Sequence, residues 1–199
     1  MDFDLLNLLA PVKCVVCNRA RVLCCSEHIR PEPESVFLQD LRGSSAQRLD
    51  ETLLKVFSGF KDRSITALKK DLVPLAKSAL EHFLRTGERP DCILIPPSSK
   101  RAFRKRGFVP IKLVLDAQGT GFRIKNFRAI RELTDQRKLT SADRERNLAG
   151  AFQISGIENL KVLLFDDVLT TGASIREMRR AAELAGAHVV GFCVMARRF

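Results

Sequence analysis

Apolar positions along this chain keep two different rhythms. Over residues 46–57, Leu49, Leu53, Leu54 and Phe57 recur at helical spacing and predict an amphipathic helix. A second helical pattern spans 64–84, with Pro74 inside it to start or kink a helix. A third covers 109–117, and a fourth covers 173–185, where Gly186 is placed to end it in a left-handed cap. The other rhythm is the short unbroken apolar run. Residues 91–95, 161–165 and 188–196 have strand length without alternation, as strands buried on both faces do. Residues 35–41 and part of 122–130 are further strand candidates, and Gly119 and Gly121 mark a turn. Between the first two helices Phe60-Lys61-Asp62-Arg63 reads as a loop with two cations. Strands alternating with helices predict an α/β domain built on a mainly parallel sheet. Such sheets bind ligands beyond the carboxyl ends of their strands. Pro96-Pro97-Ser98 and Asp166-Asp167 both fall at such ends.

The second of these ends carries the most chemistry. The run Val162-Leu163-Leu164-Phe165 leads into Asp166-Asp167, then Val168-Leu169-Thr170-Thr171-Gly172-Ala173-Ser174, where a helical pattern begins. Carboxylates accept hydrogen bonds and donate none, so an adjacent pair suits two ribose hydroxyls. Backbone N–H groups and hydroxyls at a helix start suit a phosphate. Ribose beside phosphate is a sugar-phosphate site. The segment lacks the Gly-Lys-Ser/Thr of a Walker A loop and the repeated glycines of a dinucleotide fingerprint. A plain strand-to-helix turn with an N-cap hydroxyl would explain one of these polar residues, but not Asp-Asp and Thr-Thr together. The segment resembles the phosphoribosyl diphosphate (PRPP) signature of type I phosphoribosyltransferases, hydrophobic–Asp-Asp–hydrophobic–x-Thr-Thr-Gly-x-Ser/Thr.

Charge and cysteine placement widen the picture. The net charge of +11 over 199 residues suits a polyanionic partner, either nucleic acid or a polyphosphate substrate. Five of the seven residues from 100 to 106 are cationic: Lys100, Arg101, Arg104, Lys105 and Arg106. In a run this dense most side chains are solvated. Four of the six cysteines, Cys14, Cys17, Cys24 and Cys25, lie within twelve positions, and His28 follows. Cys14-x-x-Cys17 and Cys25-x-x-His28 together supply the four N/S ligands of a closed zinc site, with Cys24 an alternative to Cys25. Arg19, Arg21 and Arg30 surround this knuckle. Cys92 and Cys193 sit in strand patterns and read as core, and His82 and His188 read as structural. Trp and Tyr are absent, so Phe, Leu, Val and Ile must fill the core. No apolar run approaches the roughly 18 residues of a membrane span, and residues 1–11 do not read as a secretory signal. A cytoplasmic protein is expected, with residues 1–33 as zinc-knuckle extension and linker and 34–199 as the main domain.

The order of motifs resembles one family. A four-ligand knuckle is followed by Phe60-Lys61-x-Arg63, a Pro-Pro loop and a basic Arg106-Gly107-Phe108 segment. Then come Gln136, Arg137, Arg144 and Asn147-Leu-Ala-Gly-Ala-Phe152, the Asp-Asp loop, and a terminal Gly-Ala-x-x-Val…Ala-Arg. Over residues 14–197 this is similar to the ComF family of phosphoribosyltransferase-like proteins, whose ComFC members are linked to natural competence and DNA uptake. The chain departs from the family in three places. It reads Ile95-Pro96-Pro97 for the usual Pro-Val-Pro, Val109-Pro110 after Phe108 for the usual Asn-Gln, and His28 in a knuckle usually made of four cysteines.

The resemblance implies a type I phosphoribosyltransferase-like fold and a role for each motif residue. Asp166 and Asp167 would accept from the ribose 2′- and 3′-hydroxyls. Thr170, Thr171, Gly172 and Ser174 would cradle the 5′-phosphate within the segment that Val168, Leu169 and Ala173 complete. Pro96, Pro97 and Ser98, with Lys100, Arg101 and Arg104, would face the diphosphate, and Mg²⁺ would accompany the substrate. Gln136 and Arg137 belong either to a flap that excludes water or to a plain surface loop, and Arg144 and Arg146 either reach ligand or lie on a helix surface. The activity implied is transfer of ribose 5-phosphate from PRPP to an acceptor not visible in the sequence. A second class of function is single-stranded DNA binding alongside competence machinery, with Phe103 and Phe108 interleaved among the cations. A third is regulation by a nucleoside phosphate in the same pocket.

Overall fold

The computed structural model describes residues 12–134 and 140–198, with the side chains of Lys100 and Ser141 outside that description. Residues 1–11 and the flap candidates Gln136 and Arg137 lie outside the described residues. Strands β1 (Glu34–Leu38), β2 (Leu41–Ser45), β3 (Cys92–Ile95), β4 (Arg123–Asn126), β7 (Lys161–Leu169) and β8 (His188–Arg197) form a sheet ordered β1-β2-β8-β7-β3-β4. Every neighbouring pair is parallel except the β1–β2 hairpin. Short strands β5 (Arg128–Ala129) and β6 (Phe152–Gln153) pair separately. The helices are α1 (Glu51–Lys61), α2 (Lys69–Thr86), α3 (Lys100–Arg106), α4 (Pro110–Gln118), α5 (Ser141–Leu148) and α6 (Ala173–Leu184). The mainly parallel α/β sheet flanked by helices is therefore present.

The sheet centre is buried on both faces because Cys92 to Ile95, Val162 to Phe165 and Phe192 to Ala196 are unbroken apolar runs. In β7, Leu163 and Phe165 join the cluster under α1, α2 and α4, with Phe57, Phe60, Leu75, Phe83 and Val114. The alternate residues Val162 and Leu164 join the cluster under α6, with Phe127, Phe152, Met178 and Ala182. This is the period-two division that a pleated strand imposes. Cys92 and Cys193 are buried. The knuckle region packs on the first face, through Cys24 and its neighbours Val15, Val16, Leu23 and Ile29.

Several boundaries differ from the sequence expectation. The single strand expected over 35–41 is half of a hairpin, because Gln39 turns the chain at φ +57°. β2 follows the turn, and residues 46–50, which read as the start of a helix, instead run beside β8, with Arg48 bridged to Arg197. The first helix begins after Asp50, whose carboxylate accepts from Leu53 N at 2.7 Å, and runs through Lys61. Phe60 and Lys61 are thus helical rather than loop residues. The second helix begins at Lys69, after a 3₁₀ turn at Thr66–Leu68, and keeps Pro74 within its second turn. The basic run itself is helical, capped by Ser99, whose hydroxyl accepts from Ala102 N at 3.1 Å.

Candidate functional site

Strand β7 enters the sheet between β3 and β8 through four fully buried residues, Val162 to Phe165. The sequence suggested that the strand ends there. Instead pairing with β8 continues through Asp166, Val168 and Leu169, opposite Val194, Ala196 and Arg197. The two carboxylates are held by strand geometry, and the loop proper is Thr170-Thr171-Gly172. Leu169 and Ala173 turn their side chains into the core, at 2% and 7% exposure, so only their backbone can serve a ligand. Val168 is half-buried.

Gly172 stands at φ +77°, and a Cβ there would lie 2.5 Å from Leu38 Cδ1. Being glycine, it offers α6 no side-chain cap. Thr171 Oγ1 accepts from Ala173 N at 3.4 Å, and further N–H groups of the first turn have no partner within the helix. Arg176 Nη1 donates to Thr171 O at 2.9 Å while Nη2 pairs with Glu145 on α5. The loop carbonyl is therefore tied down on the helix side. With the dipole of a 12-residue helix behind it, the start of α6 favours an anion.

The carboxylates differ in environment. Asp166 is 9% exposed, and its Oδ1 accepts from Asp167 N at 2.8 Å. Burial pushes its carboxyl up to about 6, against the opposing pull of the Ser174 hydroxyl and the Lys61 charge. Asp167 forms an ion pair with Lys61. The Lys61 ammonium also lies 5.4 Å from the centre of the Phe57 ring. Sequence reasoning left Lys61 out of the site. Its only signal was the Phe60-Lys61-x-Arg63 motif, since nothing local announces a partner 106 positions away.

The loop after β3 leaves the sheet at the same end, because β3 runs parallel to β7 with Leu94 opposite Leu164. Pro96, Pro97 and Ser98 are half-buried there. Lys100 opens α3, along which Arg101, Arg104 and Lys105 are exposed and Phe103 is 48% exposed. After the left-handed Gly107, Phe108 packs against Phe60 with ring centres 5.4 Å apart. The basic helix is thus joined to the end of α1 that carries Lys61. Arg144 and Arg146 lie on α5, where Arg146 pairs with Asp143.

The knuckle gathers Cys14, Cys17, Cys25 and His28, whose ligand atoms all lie within 4.8 Å of one another. Cys17 Sγ and Cys25 Sγ are 3.6 Å apart. A tetrahedral ion with Zn–S of about 2.3 Å sets its sulfurs at roughly 3.8 Å. His28 Nε2 is buried without a hydrogen-bond partner, a cost that a metal bond would remove. Burial raises the Cys14 thiol, but backbone N–H groups of Cys17, Val16 and Cys25 outweigh it and bring it to about 6. The donor set fits one structural zinc. Of the adjacent pair, Cys25 belongs to the cluster; Cys24 points into the core, and burial pushes it up to about 12.

Two cavities, of about 460 and 210 Å³, follow α6. Their linings include Arg176 and Arg180 but none of Asp166, Asp167 or Thr170. Beside the smaller one, Glu177 is buried and accepts from Gly150 N, Phe152 N and Arg180 at 2.7–3.0 Å. That network is a clamp fixing residues 150–152 to α6.

No protein-family model and no curated protein matches the chain. Among solved structures it is similar to adenine phosphoribosyltransferase from Saccharomyces cerevisiae, at 19% identity over 66% of this chain and 69% of that one, with TM-score 0.40. It is similar to the adenine enzyme from Leishmania tarentolae at 15% identity, over 70% and 74%, with TM-score 0.40. A hypoxanthine phosphoribosyltransferase from Staphylococcus aureus follows at 14% identity, over 63% and 62%, with TM-score 0.37. Likenesses this distant say nothing of chemistry.

Proposed function

We propose that this chain is a ComF-like phosphoribosyltransferase that binds PRPP at the β7–α6 junction and transfers ribose 5-phosphate to an acceptor. The observation that carries this is the placing of Asp166 and Asp167 in the carboxyl-terminal part of β7, shortly before the loop that leads to the open first turn of α6 at Gly172. The carboxylates accept from the ribose hydroxyls, and the loop N–H groups with Thr170, Thr171 and Ser174 hold the 5′-phosphate. In the transfer, the bond from C1 to the diphosphate oxygen breaks and its electron pair leaves on the diphosphate. A lone pair of the acceptor forms the new bond at C1, and any proton on that atom passes to solvent. The chain has little acid–base work to do, because charge gathers on the leaving group. Its task is orientation and electrostatic stabilisation. Asp166 and Asp167 are the oxygen donors at the site, which fits a magnesium ion arriving with the substrate phosphates. Such an ion would neutralise charge on the departing diphosphate. The family resemblance extends the proposal to a cytoplasmic role in DNA uptake, with the knuckle as a structural zinc site.

A second reading is favoured by Phe103, which stands exposed among the exposed cations Arg101, Arg104 and Lys105. An aromatic interleaved with cations can stack a base and track a phosphate backbone. On this reading the chain binds single-stranded DNA along α3. Calorimetry with PRPP plus Mg²⁺, and separately with a single-stranded oligonucleotide at two salt concentrations, discriminates the two. PRPP binding weakened by Thr171→Ala supports the transferase. Oligonucleotide binding whose log–log salt slope flattens by about one or more units on reversing Arg101 and Lys105 supports the second reading. Absence of any PRPP heat refutes the first.

A further inference from the structure

We propose that Lys61 is a diphosphate-binding residue, which holds Asp167 while the site is empty and turns to the diphosphate when ribose hydroxyls take over that carboxylate. The inference rests on the PRPP reading of the site and deepens it.

The position of Lys61 is set without the ion pair. It closes α1, a helix capped at its start by Asp50 and held on the sheet by the buried side chains of Leu53, Val56, Phe57 and Phe60. Phe60, its neighbour, is pinned by Phe108. The backbone at Lys61 is therefore anchored from two sides, while its four-carbon stem carries an ammonium with three donors that a rotamer change can re-aim. The end of α1 that bears Lys61 lies between two features of opposite kind. On one side is Asp167 at the end of β7. On the other is the segment following the basic helix, through the Phe60–Phe108 contact. A sugar carrying a diphosphate at C1 must span the same interval, from carboxylates to cations.

Electrostatics supplies the reason. A polyanion entering beside Asp166 and Asp167 meets two carboxylates, and only a nearby cation makes that approach favourable. Lys61 is the cation the structure places on Asp167, at 25% and 19% side-chain exposure for the two partners, so solvent screens the interaction only in part. The pair neutralises Asp167 in the empty site. When hydroxyls donate to Asp167, its need for the ammonium falls and the diphosphate oxygens become the better acceptors, since a charged phosphate oxygen is a strong partner. The Phe57 ring supports the ammonium where it meets Asp167. A lysine serving only to fasten α1 to β7 would have no reason to distinguish ligands that differ in the diphosphate alone.

That difference is the test. Calorimetric titrations with ribose 5-phosphate, inorganic diphosphate and PRPP, the last two with Mg²⁺, are run on wild type, Lys61→Met and Lys61→Arg, with melting temperatures recorded for each. The expected result is that Lys61→Met weakens PRPP and diphosphate by about 10- to 100-fold. Ribose 5-phosphate should bind within about 2-fold of wild type, or tighter because Asp167 is released, and Lys61→Arg should recover part of the loss. Equal weakening of all three ligands, accompanied by a lower melting temperature, means a structural bridge and overturns the proposal. So do unchanged affinities throughout. Wild type binding neither PRPP nor ribose 5-phosphate overturns the site reading itself, and is told apart because the failure precedes any substitution.

Discussion

Replacing Asp166 by asparagine should make the protein more stable at alkaline pH while impairing its site. The carboxyl of Asp166 is buried, and its value rises from 3.8 to about 6 on folding, with burial as the leading cause. A raised carboxyl favours the proton-bound form in the folded state. Its contribution to stability is therefore full below about pH 4, declines as pH rises toward 6, and becomes a fixed penalty above. About two pH units correspond to roughly 3 kcal/mol at 1.4 kcal/mol per unit. Asparagine carries no charge, and its amide oxygen can still accept from Asp167 N, now 2.8 Å from Asp166 Oδ1. The amide nitrogen faces the Ser174 hydroxyl, which can rotate to accept. The expected gain is about 1–3 kcal/mol at pH 8, shrinking to nothing near pH 4. For a chain of this size each kcal/mol is worth about 2–4 °C in melting temperature. Urea unfolding of both proteins at pH 4.5, 6 and 8 measures it. A variant no more stable than wild type at pH 8, or a difference that does not change with pH, refutes the electrostatic argument.

The other expectations follow from single contacts. Gly172→Ala should lose about 1–2 kcal/mol for the left-handed backbone alone, displace Leu38, and weaken phosphate binding; calorimetric melting and a ribose 5-phosphate titration check this. Glu177→Gln should lower stability by about 2–3 kcal/mol, because it leaves Arg180 and the Gly150 and Phe152 N–H groups short of a charged acceptor; hydrogen exchange at 150–152 should rise with it. Protein purified without chelator should carry one zinc by elemental analysis. Cys25→Ser should abolish that metal, whereas Cys24→Ser should retain it at a cost in stability, and a disulfide within the cluster would overturn the assignment.

What could be read from the sequence was what depends on neighbours in the chain. The unbroken apolar run ending at Phe165, the helical pattern over 109–117 and the Gly186 cap are local facts, and each is observed. The Cys-x-x-Cys and Cys-x-x-His spacings likewise placed four ligands that the fold does bring together. Choosing Cys25 over Cys24 required burial, which adjacent residues do not reveal. The β1–β2 hairpin was missed because its turn uses Gln39 at positive φ, without glycine or asparagine, and because β2 reads Leu-Arg-Gly-Ser-Ser. Ser44 and Ser45 have modest strand propensity, yet both are buried. The limits of β7 were misjudged for a related reason. Polar residues usually leave a buried strand, but Asp166 and Asp167 stay in register with β8 because the ladder needs only their backbone. Lys61 was invisible as a site residue, since its pairing with Asp167 depends on α1 and β7 meeting in space.

The most direct test of the central claim is the affinity of PRPP, with Mg²⁺ present, for wild type and for Asp167→Asn at pH 8. The claim predicts saturable one-to-one binding by wild type. Asp167→Asn should weaken it by about one to two decades, the roughly 1.5–3 kcal/mol of a charge-assisted hydrogen bond, while circular dichroism shows the fold intact. Coincident titrations of the two proteins would contradict the assignment of the carboxylate pair to the ribose.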